Sequence, residues 1–97
     1  MILVFPIEKA LENIVAIERI VEPYGYYPDG DAILKDLAAI KELLKNPTRG
    51  NLLQALEKLK AVENIINQYR GYEPAEKAIK HINILKEIAK RHGLKKR

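Results

Sequence analysis

Tyr24-Gly25-Tyr26-Tyr27-Pro28 and Tyr69-Arg70-Gly71-Tyr72-Glu73-Pro74 are the two corners on which the fold turns. Each separates two segments of helical apolar spacing, and together they hold all five tyrosines of a 97-residue chain. Before the first corner, Ile7, Ala10, Leu11, Ile14, Ile17 and Val21 recur three and four positions apart, one face of a helix that Pro6 opens and Pro23 ends. After it, Asp29 and Asp31 offer N-caps to a second helix whose stripe is Ile33, Leu37, Ile40 and Leu44.

The stretch Asn46-Pro47-Thr48-Arg49-Gly50 is a turn by composition, with Asn46 or Thr48 as the cap of a third helix. Leu52, Leu56, Leu59, Val62, Ile66 and Tyr69 mark that helix, and Gly71 is placed to stop it. Pro74 opens a fourth, striped by Ala78, Ile82, Leu85 and Ala89 up to Gly93.

Sliding the chain on itself by 45 positions lays residues 9–46 over 54–91 without a gap. Twelve pairs are then identical: Ala10/Ala55, Leu11/Leu56, Glu12/Glu57, Ala16/Ala61, Glu18/Glu63, Ile20/Ile65, Tyr24/Tyr69, Tyr27/Tyr72, Lys35/Lys80, Lys41/Lys86, Glu42/Glu87 and Lys45/Lys90. Composition alone gives roughly three or four matches in such a window, so the pattern reads as a tandem helical hairpin. Two repeats are too few for a stable open stack, which usually needs about three. The expected fold is therefore all-α: a four-helix, up-down-up-down bundle of two hairpins with approximate internal two-fold symmetry. One domain spans 1–97, with hairpin one over about 6–45, hairpin two over about 48–93 and a frayed basic tail at 94–97. Both tyrosine corners then fall at one end of the bundle. An open array of the two hairpins is the alternative, and it would need a second chain to cover its stripes.

Composition removes several chemistries. The chain has no cysteine, which excludes disulfides, thiolate metal sites and thiol nucleophiles. Serine is absent too, leaving Thr48 as the one aliphatic hydroxyl. The apolar leader Ile2-Leu3-Val4-Phe5 has neither the basic lead-in nor the cleavage site of a signal peptide, and it is too short to cross a bilayer. A soluble cytoplasmic protein is expected. The bias toward isoleucine, lysine and glutamate follows the hyperthermophile trend.

Four constellations are candidates for function. The tyrosines come first. Tyr24, Tyr27, Tyr69 and Tyr72, matched through the repeat, are expected to close the open end of the core. Tyr26 aligns with Gly71 and is assigned to a partner; in the alternative, all five rings form an aromatic platform for a peptide, a base or an interface.

Glu18 and Glu63 form the second, a matched carboxylate pair inside a bundle. A di-metal site would also need a Glu-x-x-His on each of two helices, and none exists. His81 and His92 are about 16 Å apart along one helix. No metal or cofactor is expected, and the glutamates are read as partners of Lys41 and Lys86 or of a tyrosine hydroxyl.

The third is charge. Residues 1–45 carry −3, residues 46–74 carry +1 and residues 75–97 carry +6, within a net +4. Lys80, Lys90, Arg91, Lys95, Lys96 and Arg97 are thus candidate contacts to nucleic-acid phosphates. Alternatively they are a solvated face, or meet the acidic first hairpin of a second copy. The fourth is the leader, expected either to fold over the bottom of the bundle or to form the arm of a homodimer.

No catalytic set emerges, so an enzyme is not expected. The leading expectation is a protein-interaction or assembly module whose partner is a protein or a second copy. The second is a basic accessory or regulatory protein that binds nucleic acid through helix four.

Overall fold

A computed structural model describes residues 4–94. Among the described residues four helices succeed one another: α1 (Ile7–Val21), α2 (Pro28–Leu44), α3 (Arg49–Asn67) and α4 (Glu73–Arg91), with a 3-10 turn, Glu22–Tyr24, at the end of α1. No strand occurs among the described residues. Neighbours in sequence pack against each other and α1 packs against α4, while the diagonal pairs stand apart. Contact between the first and last helices closes the ring, which an open array of hairpins would leave apart. The all-α four-helix bundle expected from the sequence is the fold observed.

The core is what the stripes specify. Ile33, Leu37, Ile40 and Leu44 of α2 are buried, as are Ala78, Ile82, Leu85 and Ala89 of α4. Ile14 and Ile17 of α1 and Val62 of α3 are sealed from solvent between them. Each fully buried branched side chain contributes about 1.5–3 kcal/mol relative to exposure. Leu56 of α3 lies only half-buried at the edge of this core, and Ala55 takes the inner position.

One polar side chain interrupts the stripe of α1. Asn13 is 8% exposed. Its amide nitrogen donates to the Lys9 carbonyl at 2.9 Å, which turns its oxygen toward α4, where His81 Nδ1 donates to it at 2.9 Å. Both partners are satisfied, so the pair fixes the register of α1 against α4 without leaving a buried orphan.

The glutamates expected at the core edge meet lysines. Lys41 lies 2.9 Å from Glu18, and Lys86 lies 2.9 Å from Glu63. The same offset of 45 positions relates the two pairs. Each ties the two helices of a hairpin at partly exposed positions, where such a pair adds about 0.2–1 kcal/mol.

Several local expectations are corrected. Asp29 and Asp31 are not the caps of α2. Tyr27 holds the N-cap position without a side-chain bond, and Pro28 begins the helix, which moves both aspartates into its first turn. There they face the positive end of the helix dipole. Thr48, not Asn46, caps α3, its hydroxyl accepting the Asn51 N–H at 3.1 Å. Helix α3 ends at Asn67, ahead of Gly71, which instead turns the corner with φ of 100°.

Leu94 is not part of a frayed tail. Gly93 takes φ of 71°, its N–H reaches the Lys90 carbonyl, and the Leu94 N–H reaches back to Ala89 at 2.9 Å. This is the Schellman closure of a helix. It turns Leu94 into the core, where it is 5% exposed. Lys95, Lys96 and Arg97 lie outside the described residues, as do Met1, Ile2 and Leu3. Of the leader, Phe5 packs on the core and meets the His92 ring edge-on at 5.5 Å, whereas Val4 is 79% exposed.

Candidate functional site

Both tyrosine corners lie at one pole of the bundle, opposite the α2–α3 turn. They are built differently. In the first, the 3-10 turn brings the Tyr24 carbonyl onto the backbone of Gly30: a Cβ at residue 30 would stand 1.9 Å from that oxygen. Only glycine lets α2 start so close beneath the chain that precedes it. In the second corner, the left-handed Gly71 leaves open space around itself. Closure there is ionic: Glu76 accepts Arg70 Nε–H at 2.7 Å and the Gly71 N–H at 3.0 Å. The Arg70 guanidinium, then the Gly71 amide, hold the Glu76 carboxyl below the usual carboxylate range.

Between the corners lies an open cleft of about 690 Å³. Its floor comes from all four helices, with Val21, Ile33, Ile66 and Ala78 among the lining side chains, and its rim includes Tyr24, Tyr27, Tyr69 and Tyr72. Gly30, Ala75 and Ala78 make the space, since each is small where a longer side chain would fill the pole. The volume falls in the range of about 300–1,000 Å³ that holds drug-sized ligands.

The four matched tyrosines therefore do not plug the core, as the sequence leads one to expect. They are 44%, 52%, 42% and 69% exposed in chain order, standing around the opening instead of filling it. A tyrosine at the end of a helix can leave its hydroxyl in water and offer one ring face to a concavity. Tyr26 is the most exposed of the five at 80% and does not line the cleft. Its ring lies 4.4 Å from that of Tyr27, outside the rim. A hydrogen bond with Tyr27 pushes the Tyr26 hydroxyl above the usual phenol range.

One hydrogen bond crosses from corner to corner. The Tyr69 hydroxyl donates to Asp29 Oδ2 in the first turn of α2. The carboxylate beside it, with desolvation and charge as lesser causes, raises the Tyr69 hydroxyl above the usual phenol range. Of the cleft's lining residues, Asp29 alone carries a charge at neutral pH.

Helix α4 presents fewer free cations than its sequence suggests. Lys77 pairs with Glu73 at 3.2 Å, Lys86 with Glu63, and Arg91 with Glu87 at 3.6 Å. Lys80 and Lys90 are exposed and outside any ion pair among the described residues. No group of three His, Cys, Asp or Glu side chains is gathered for a metal among the described residues, and no described helix is long and apolar enough to cross a membrane.

Sequence reasoning singled out the tyrosines but missed Gly30, Asp29 as a cleft residue, Ala75 and the Arg70–Glu76 clasp. The one available signal was Gly30 itself, a glycine inside a helical segment where no turn requires it. Comparison with protein-family models, with curated proteins and with solved structures finds no match to this chain.

Proposed function

We propose that this protein is a small, non-enzymatic interaction module that receives a segment of a protein partner in the cleft between its tyrosine corners. The observation that carries this reading is the cleft: about 690 Å³ of largely apolar space, rimmed by tyrosines that stand half-exposed or more. Tyrosines ordered around a concavity offer large, stiff contact area at low entropic cost, as binding hot spots do. Tyr26 extends the aromatic surface beyond the rim.

Selection from a random peptide display library tests the reading. Peptides enriched on the immobilised protein are expected to bind in solution and to lose at least about tenfold in affinity, near 1.4 kcal/mol, when Tyr24 and Tyr72 are replaced by alanine. Enriched peptides that bind the double variant equally well would remove the cleft from the function. Both residues are exposed at the rim, so circular dichroism should show the fold unchanged.

A second reading places nucleic-acid phosphates on α4, and rests on Lys80 and Lys90. The three neighbouring cations already meet glutamates, which lowers the charge available for counter-ion release. A mobility shift at low salt that is lost in Lys80→Gln/Lys90→Gln would favour it.

A further inference from the structure

The cleft is apolar except at one point, and that point is an acid without a counter-ion. Asp29 is half-buried. Its Oδ2 accepts the Tyr69 hydroxyl, while Oδ1 has no donor among the described residues. The basic side chains in ion pairs at this pole are committed elsewhere: Lys35 to Asp31 at 2.9 Å, Arg70 to Glu76 at 2.7 Å and Lys77 to Glu73 at 3.2 Å. The half-exposed carboxylate has the Tyr69 hydroxyl and the positive end of α2 beside it but no counter-ion, and the surrounding rings bear negative faces that attract cations within about 6 Å. Two independent features, the lone acid and the ring of tyrosines, thus ask for the same charge.

Accepting that the cleft takes a peptide segment, we propose that the residue recognised there is a lysine. Its ammonium would sit between the tyrosine rings and Asp29 Oδ1, and its four-carbon stem would lie along Ile33, Ile66 and Ala78. Lysine suits this geometry because it carries a compact charge on an apolar stem. One lysine leaves most of the cleft empty, so the residues flanking it in the partner are apolar.

The test uses capped pentapeptides with valine and leucine on either side of a central lysine, norleucine or glutamate, titrated against the full chain. With five tyrosines and no tryptophan, the intrinsic fluorescence of the protein reports only on the two corners. The lysine peptide is expected to bind at least about tenfold more tightly than the norleucine peptide, and glutamate to abolish binding. Asp29→Asn, which keeps an oxygen for the Tyr69 hydroxyl, should remove most of the lysine preference, bringing the lysine and norleucine peptides to within about threefold of each other. Equal affinity for lysine and norleucine would overturn the cation and leave the cleft reading intact. Binding of n-hexylamine as tight as that of the lysine peptide would overturn the peptide as source. If no pentapeptide binds and display selection enriches nothing, both readings fall. If selection enriches binders without a central cation, only this one does.

Discussion

The two corners of this bundle do the same topological work by opposite means. The first is closed by contact: Gly30 lies under the Tyr24 carbonyl with no room for a methyl group. The second is closed by charge, through Arg70, Glu76 and the Gly71 amide, around a glycine that has space but a left-handed backbone. At the position 45 residues after Gly30 stands Ala75, also buried. A side chain is thus tolerated in one corner where the other excludes it. Aligned sequence does not make aligned constraints; what each residue can be depends on how near the backbone opposite has come.

That contrast is easiest to break at Gly30. Gly30→Ala is expected to cost about 3 kcal/mol or more, because the obstacle is backbone that cannot rotate away. Urea unfolding measures it, and a loss below about 1 kcal/mol would mean that the first corner is looser than described. Gly71→Ala should cost less, about 1–2 kcal/mol, from the left-handed backbone alone, with no steric term. Equal losses at both sites would erase the distinction between a packed and an ionic corner.

The smallest effects are in pH dependence, and they have opposite signs. The Glu76 carboxyl is depressed in the folded chain. Its clasp therefore stabilises the protein above the ordinary carboxylate range, and the benefit is lost as pH falls through the lowered value. The gap in urea midpoint between wild type and Glu76→Gln should close in acid. The Tyr69 hydroxyl is raised in the folded chain, so its bond to Asp29 is fully present below the ordinary phenol value and is lost as pH rises through the raised one. The gap between wild type and Tyr69→Phe should close in alkali. The absence of any Tyr69→Phe gap at neutral pH would mean that the ring, not the hydroxyl, holds the corners together.

The sequence made the helices legible because burial there follows a period. All four stripe residues of α2 and all four of α4 are in the core. The pairing of Glu18 with Lys41 and of Glu63 with Lys86 was legible for the same reason, since inward-leaning opposite charges on adjacent helices have little else to meet. The cleft was not legible. It is made by what Gly30, Ala75 and Ala78 lack, and by the distance between two corners 45 residues apart, neither of which leaves a periodic trace. Asn13 hid inside an apolar stripe, and its partner His81 is 68 positions away. Leu94 was misplaced because its burial rests on one backbone angle, at Gly93.

The long axis of the molecule measures 43 Å against 25 and 23 Å across. Val4, Phe5 and Leu94 lie at the pole away from the tyrosines, where Phe5 meets His92 and Arg49 reaches the Gly93 carbonyl. Anything tethered through that pole, whether a surface, a fluorophore or another folded unit, stands well clear of the cleft and leaves its mouth facing outward. The bundle is in this sense a short stalk with a socket at its tip. Anchored at Val4 or Leu94, it leaves the surface proposed to bind unobstructed.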